Sequence, residues 1–241
     1  MFIFSGIVFL EKIQFQNKDT DGRRRRKKIP WNFDEVRAKL ADIRKNGNEQ
    51  QLLSLIKNNS FLLSELYHRK WGSQPAFHEI SFGGKYRCDF AWLNDNSDGP
   101  EWVLVEFEKP NMPLFKQDGE PKAEFHHAIE QVKSWQRYFD EHPAEKKRIF
   151  GAVKKFRYVL VAGEPDEWKN EHAAKYRIFE NNHSSIEIRS MGILDKALDN
   201  FPKDPEEIAS FSEFPTTLPP GELQNYWENY DYMDFFRKII E

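Results

Sequence analysis

Two stretches of the sequence decide the fold: Lys85-Tyr-Arg-Cys-Asp-Phe-Ala-Trp-Leu93 and Trp102-Val-Leu-Val-Glu-Phe-Glu-Lys109. Both are rich in aromatic and β-branched residues, which favour strands. Residues 94–101 between them contain Asn, Asp, Ser, Gly and Pro, which favour a turn. The pattern therefore predicts a β-hairpin with residues 94–101 as its loop, in which Leu93 pairs with Trp102.

The two faces of this hairpin differ in chemistry, because alternate side chains of a strand point to opposite sides of a sheet. One face is apolar and is predicted to be the core: Tyr86, Cys88, Phe90, Trp92, Val103, Val105 and Phe107. The other face carries the carboxylates Asp89, Glu106 and Glu108, with Lys85 and Arg87 beside them. The predicted register places Asp89 opposite Glu106.

Opposed carboxylates suggest a metal site. Like charges that face each other across two strands repel, and a hard cation with oxygen ligands would turn that repulsion into affinity. We therefore expect Asp89, Glu106 and Glu108 to bind Mg²⁺ or Mn²⁺. The alternative is that they are solvated, as most Asp and Glu residues are. Leu104 on the same face predicts that the face is partly covered, and a covered carboxylate cluster needs compensation.

Composition limits the classes of function. The chain has 241 residues and a net charge of -3, from 36 basic and 39 acidic residues, so a nucleic-acid surface must be local. A single cysteine, Cys88, excludes an intramolecular disulfide framework and a Cys-rich zinc site. Its place on the apolar face predicts a buried thiol that acts as a small hydrophobe. A reducing, cytoplasmic location is the expectation.

The N-terminal region predicts no membrane partner. Residues 1–10 are apolar but too few to span a bilayer as a helix, and they lack the marks of a signal peptide, so a buried strand is expected. A basic run follows them, for which a solvated connector is the favoured interpretation. Contact with nucleic-acid phosphates is the alternative. The run consists of Arg23, Arg24, Arg25, Arg26, Lys27 and Lys28.

Periodicity predicts the remaining elements. Helical spacing of apolar residues predicts a helix that ends near Gly47, a second helix over residues 49–69 with a break near residues 58–60, and a third over residues 122–140. A short strand is expected over residues 76–82, and its Glu79 is a candidate for the acidic face. Residues 158–162, 166–181 and 185–190 read as strand, helix and strand, which implies a parallel pair joined by a crossover. The whole is a mixed α/β (α+β) fold with an antiparallel three-strand meander flanked by helices.

The C-terminal segment is aromatic and follows a linker marked by Pro215, Pro219, Pro220 and Gly221. We predict a short helix in residues 223–241 that docks onto its own chain. Docking onto a second protomer, which would make a homo-oligomer, is the alternative.

Several stretches resemble the Shedu family of the PD-(D/E)xK nuclease superfamily. They are Leu62-Leu-Ser-Glu-Leu-Tyr-His-Arg-Lys-Trp-Gly72, Phe77-His-Glu-Ile-Ser-Phe-Gly-Gly-Lys-Tyr-Arg-Cys-Asp-Phe90, Val103-Leu-Val-Glu-Phe-Glu-Lys-Pro110 and Ala128-Ile-Glu-Gln-Val-Lys-Ser-Trp135. The resemblance spans roughly residues 49–198. It divides the chain into an extension with the basic run and a helix (1–48), a Shedu-like nuclease domain (49–200), and a linker with the aromatic segment (201–241).

The resemblance implies a restriction-endonuclease-like core and a bacterial anti-phage nuclease that cuts DNA with a divalent metal. Carried over by position, Asp89 and Glu106 would be metal ligands, and Gln131 would be a helix glutamine beside the site. The family motif ends in lysine, whereas this chain has Glu108 there, followed by Lys109. Lys109 replaces that lysine only if the strand kinks before Pro110.

The altered motif leaves two functions open. In the first, metal-assisted phosphodiester hydrolysis, Glu108 completes a second metal site or takes a proton from water, and Lys85 or Arg87 stabilises the transition state. In the second, Arg87 is an ion-pair partner of Glu108 across the strands, and the protein is an inactive DNA-binding or regulatory protein on the same fold.

Overall fold

The computed structural model describes residues 29–68 and 74–240. Its α-helices are α1 (Phe33–Asn46), α2 (Glu49–Lys57), α3 (Ala123–Glu141), α4 (Pro143–Phe150), α5 (Glu171–His183), α6 (Gly192–Asn200), α7 (Pro205–Phe211), α8 (Glu222–Glu228) and α9 (Asp231–Ile239). The strands are β1 (Phe77–Phe82), β2 (Tyr86–Asn96), β3 (Gly99–Phe107), β4 (Lys155–Val161) and β5 (Ile186–Arg189). Short 3-10 helices cover Ser60–Leu66, Glu167–Lys169 and Phe201–Lys203.

The five strands form one sheet in the order β1-β2-β3-β4-β5. The pairs β1-β2 and β2-β3 are antiparallel, and the pairs β3-β4 and β4-β5 are parallel. The antiparallel meander and the parallel pair with a helical crossover are therefore confirmed, as is the mixed α/β fold class.

The register of the central hairpin is also confirmed, because Leu93 pairs with Trp102. The predicted loop is too long, however. β2 continues to Asn96 and β3 begins at Gly99, so the turn is shorter than residues 94–101. The side-chain amide of Asn94 donates to Glu101 at 2.8 Å, and this cross-strand hydrogen bond keeps residues of turn-forming type inside the ladder.

Both faces of the sheet are buried, so the prediction of a single core face is wrong. One face packs on α3, α8 and α9 and includes Trp102 and Leu104. The other packs on α1, α2 and α6 and includes Val103 and Val105. A parallel strand with helices on both sides is apolar on both faces, which is why β3 reads as nearly continuous apolar sequence before Glu106. The full burial of Leu104 confirms that the carboxylate face is covered.

The alternation of faces breaks once in β2. Cys88 packs in the same core as Ala91 and Leu93, with Tyr86 against it, whereas Phe90 packs in the opposite core. The placement of Tyr86 and Cys88 on the face of Phe90 and Trp92 is therefore wrong. Cys88 itself is a buried free thiol, as predicted.

The helices follow local signals in the sequence. Asn48 caps the start of α2: its side chain accepts from the backbone N–H of Gln51, while the Gln51 side chain accepts from the backbone N–H of Asn48. α3 covers the predicted residues 122–140 closely, whereas α4, which Pro143 begins, was not predicted. None of the helices in the described part of the chain is long and apolar enough to cross a membrane.

The aromatic C-terminal segment docks onto its own chain, as predicted, but forms two helices rather than one. Trp227 of α8 and Met233 of α9 are buried in the core on the α3 side of the sheet. Before them, Leu218 forms a parallel bridge with Phe77 of β1. The first residues of the outer edge of β1 are therefore paired with the chain itself.

Candidate functional site

The predicted acidic residues lie where β3 ends. Asp89 is buried, and its carboxylate accepts a hydrogen bond of 2.7 Å from the backbone N–H of Phe107. On the other side of β3, the backbone N–H of Glu108 donates to Val161 of β4 at 2.9 Å. The end of β3 is thus fixed from both neighbouring strands, and Glu106 and Glu108 project from a rigid segment.

Glu106 contacts the helix glutamine that the family resemblance singled out. The side-chain amide of Gln131, on α3, donates to Oε1 of Glu106. The second oxygen, Oε2, is buried without a hydrogen-bond partner. A buried acceptor that lacks a donor destabilises the folded protein, so this oxygen is suited to take a proton or a cation.

Burial and mutual repulsion raise the pKa of all three carboxyl groups. Burial raises the pKa of Asp89 to about 7, although the N–H of Phe107 opposes this shift. Burial also raises the pKa of Glu108 to about 7. The pKa of Glu106 is raised well above its usual range by burial and then by the negative charge of Asp89. The three groups therefore lie close enough to influence each other, and near neutral pH they bind protons that a cation could displace.

A fourth carboxylate, Glu49, acts on the site and was missed from the sequence. Its negative charge raises the pKa of Asp89, Glu106 and Glu108. The capping residues Asn48 and Gln51 fix the start of α2 and so place Glu49 in its first turn. An acidic residue in the first turn of a helix is ordinarily explained by its interaction with the helix dipole. The sequence therefore gives no signal that Glu49 belongs to the acidic site as well.

The ion pair of Arg87 with Glu108, which was the alternative to a catalytic role for Arg87, does not form between these two described residues. Its guanidinium lies 3.5 Å from the carboxylate of Glu79, which Lys57 of α2 approaches to 3.1 Å. The positive charge of Arg87 lowers the pKa of both Asp89 and Glu106. Arg87 therefore remains beside the acidic cluster, and Glu79 belongs to an ion-pair chain next to it.

The two lysines take different places. Lys85 is exposed, and its Nζ lies 4.7 Å from the centre of the Tyr86 ring. Lys109 lies 3.4 Å from Glu124 at the start of α3, and its positive charge lowers the pKa of Glu108. Because β3 ends at Phe107, the side chain of Lys109 does not have to point to the opposite face from Glu108, and its charge can influence the Glu108 carboxylate.

Arg44 joins the elements that border the cluster. Its guanidinium donates to Asp195 at 2.8 Å and to the carbonyl of Met191 at 2.7 Å, which ties the end of α1 to α6. The side chain of Asn111 donates to the carbonyl of Arg44. The hydrogen bond between Arg44 and Asn111 thus connects the segment that leads into Glu49 with the segment that follows Glu108.

The donors fit a hard divalent cation in their chemistry, since all are carboxylate oxygens and one of them, Oε2 of Glu106, lacks a partner. Their present arrangement is not a formed cage: within residues 29–68 and 74–240, no three His, Cys, Asp or Glu side chains are placed so that they could hold a metal ion. An ion held by this cluster would therefore require its carboxylates to come closer together than they are in this structure.

The basic run at Arg23, Arg24, Arg25, Arg26, Lys27 and Lys28 lies outside the described residues, as does the predicted strand over residues 1–10. Contact of the basic run with nucleic acid stays a prediction.

The sequence matches a family model described as Shedu protein SduA, C-terminal, over residues 46–191. This range contains all five polar residues of the cluster: Glu49, Asp89, Glu106, Glu108 and Gln131. Helices α8 and α9 lie outside it. No curated protein matches the chain.

Proposed function

Because this chain belongs to the Shedu SduA family, we propose that it is a metal-dependent nuclease that hydrolyses DNA phosphodiester bonds in bacterial anti-phage defence. Family membership suggests the role in defence. The observation that supports hydrolysis is the cluster at the end of β3, where buried Asp89 and partly buried Glu106 and Glu108 all have raised pKa values and one oxygen of Glu106 has no hydrogen-bond partner.

Asp89 and Glu106 would hold Mg²⁺ or Mn²⁺, with Glu49 as a further acidic group, and Glu108 is left free to act as a base. A bound cation of this kind supplies positive charge to a phosphate oxygen and lowers the pKa of bound water. Gln131 holds one oxygen of Glu106 and so fixes the direction of the other. The carboxylates themselves repel a phosphodiester, and their neutralisation is therefore a condition for substrate binding.

Glu108 is the proposed general base. Its pKa of about 7 suits a group that must be ionised at working pH and still accept a proton. The carboxylate takes a proton from the attacking water, the oxygen of that water forms a bond to phosphorus, and the bond from phosphorus to the leaving oxygen breaks. The leaving oxygen then takes a proton from solvent.

Arg87 is the proposed replacement for the lysine that ends the family motif. A cation beside the scissile phosphate stabilises the charge that develops in the transition state. The charge of Arg87 acts on Asp89 and Glu106, whereas Lys85 lies over a tyrosine ring. Arg87 also has a planar guanidinium, which can bind two phosphate oxygens at once.

An inactive DNA-binding or regulatory protein is the second candidate. Two observations favour it: glutamate replaces the motif lysine, and no three described acidic or metal-binding side chains form a cage for an ion.

Cleavage of supercoiled plasmid DNA with Mg²⁺ or Mn²⁺ distinguishes the candidates. The nuclease proposal expects nicked or linear DNA with the wild type and none with Asp89→Asn. Glu171→Gln is the matched control, since Glu171 is an exposed carboxylate paired with Lys175, and it should cleave as the wild type does. A wild type that binds DNA and leaves it intact with either metal would support the second candidate.

A further inference from the structure

The ladder between β1 and β2 is interrupted beside the acidic cluster. His78 pairs with Phe90, and Ile80 pairs with Cys88. Glu79 therefore lies opposite Asp89, but these two residues are not a pair of the ladder. The interruption occurs at a residue of the site and at the residue across from it.

Glu79 adopts a left-handed backbone at this point, with a φ of 54°. This conformation is uncommon for a residue with a side chain, and it is foreign to a β-strand. A strained backbone persists only where the surrounding structure holds it. Here Lys57 of α2 and Arg87 of β2 both contact the Glu79 carboxylate, at 3.1 Å and 3.5 Å.

Both strands change face at this interruption. In β1, Phe77 and Ile80 lie three residues apart and yet pack in the same core. In β2, Cys88 and Phe90 lie two residues apart and pack in opposite cores. One residue outside the regular pleat in each strand produces such a reversal, and because the register is the same on both sides of the interruption, neither strand contains the extra residue of a β-bulge. The kink at Glu79 and the change of face at Asp89 are thus one feature.

The carboxylate of Asp89 takes the place of a main-chain acceptor. The last pair between β2 and β3 is Phe90 with Val105. Beyond it, the N–H of Phe107 donates to the Asp89 carboxylate at 2.7 Å. In a continued ladder that N–H would face the main chain of β2. The break therefore brings the Asp89 carboxylate against the end of β3, beside Glu106.

We propose that Glu79 is a positioning residue whose left-handed backbone, rather than its charge, places the Asp89 carboxylate at the end of β3. The importance of this placement for catalysis rests on the proposed nuclease function, whereas the placement itself does not.

Two substitutions distinguish the effect of the Glu79 backbone conformation from the effect of the Glu79 charge. Glu79→Gly and Glu79→Val both remove the carboxylate. Glycine adopts a positive φ without strain, whereas valine strongly disfavours it. The hydrogen exchange of the Phe107 amide, measured by NMR in EDTA, reports whether Asp89 still accepts its hydrogen bond.

We expect Phe107 to exchange at nearly the wild-type rate in Glu79→Gly. In Glu79→Val it should exchange about 10-fold faster or more, which is the scale of losing a hydrogen bond to a charged acceptor. Asp89→Ala gives the rate without the acceptor. The amide of Val159, inside the β4 ladder, is the reference for global opening.

Equal acceleration of Phe107 exchange in the Gly and Val variants would overturn the proposal, because it would assign the effect to the lost carboxylate. Unchanged exchange in both would overturn it as well. If Glu79→Val does not fold, Glu79→Ala carries the test: Phe107 should exchange faster than in Glu79→Gly, and equal rates would overturn the proposal.

These exchange rates involve neither metal nor DNA, so they decide the placement even if the wild type does not cleave plasmid. If the wild type does cleave, Glu79→Val should lose more activity than Glu79→Gly.

Discussion

The side-chain amide of Gln131 donates to one oxygen of the Glu106 carboxylate, and the other oxygen is buried without a partner. Gln131→Leu would leave both oxygens without a donor at a site that burial and Asp89 already make unfavourable for charge. We expect nuclease activity to fall about 10-fold to 100-fold, the scale of losing a hydrogen bond to a charged group.

Plasmid cleavage rates measure this effect, and Gln136→Leu is the control. Gln136 lies on the same helix, and its side chain accepts from the hydroxyl of Ser185 away from the acidic cluster. Equal losses from both substitutions would indicate damage to α3 rather than to the site.

The raised pKa values also predict how stability depends on pH without metal. Asp89 and Glu108 have a pKa of about 7 in the folded protein, above their usual values of 3.8 and 4.5. Between those values and pH 7 the folded protein binds more protons than the unfolded chain does. The free energy of unfolding should therefore decrease as pH rises from about 4 to about 7 through these groups.

Asp89→Asn removes one of the two carboxyl groups with a raised pKa. The free energy of unfolding of this variant should therefore decrease less between about pH 4 and pH 7 than that of the wild type. At pH 8 in EDTA the variant should be more stable than the wild type, by on the order of 1 kcal/mol. Urea denaturation at pH 5 and pH 8 tests this, with the exposed Asp98→Asn as control. A variant with the same pH dependence as the wild type would show that Asp89 does not carry the effect.

Mg²⁺ should raise the melting temperature of the wild type, because a cation that binds only the folded protein stabilises it. At 100 times the dissociation constant the gain is about 2.7 kcal/mol, and each kcal/mol shifts the melting temperature of a chain of this size by about 2–4 °C. Glu106→Gln should abolish most of the rise. Equal melting with and without Mg²⁺ in the wild type would contradict binding at the concentration used.

The central hairpin was predictable because its register depends on local alternation and turn residues, as the pair of Leu93 and Trp102 illustrates. The family resemblance predicted a helix glutamine, Gln131, beside the site, but not that it would contact Glu106. Glu49 was not predicted, since its approach to the cluster depends on how α2 packs on the sheet. The ion pair of Arg87 with Glu79 was also missed, because the kink in β1 leaves no mark in a residue pattern. A homo-oligomer stays a prediction.

The replacement of the motif lysine by Glu108 gives the sharpest test of function. Glu108→Gln nearly keeps the shape of the side chain and removes its ionised carboxylate. If Glu108 is the general base, cleavage should fall about 100-fold or more, the range of general acid-base catalysis. Wild-type activity with an equally active Glu108→Gln would contradict this role.

Glu108→Lys restores the lysine of the family motif. It distinguishes the two candidate functions by a gain of cleavage, whereas Glu108→Gln distinguishes them by a loss. Arg87 is paired with Glu79 rather than with Glu108, so no arginine partner is lost when the charge at position 108 is reversed. The new lysine would lie near several carboxylates. The charge of Glu49 acts on position 108, and the charges of Asp89 and Glu49 act on Glu106. For an active nuclease, cleavage by Glu108→Lys should remain measurable or rise. The base is lost, but the lysine supplies a cation that stabilises the charge of the transition state. For an inactive protein, the wild type and Glu108→Gln should both leave plasmid intact, and Glu108→Lys alone should gain cleavage. The order of activity among the wild type and these two variants, measured on the same plasmid with Mg²⁺ and Mn²⁺, therefore assigns the function.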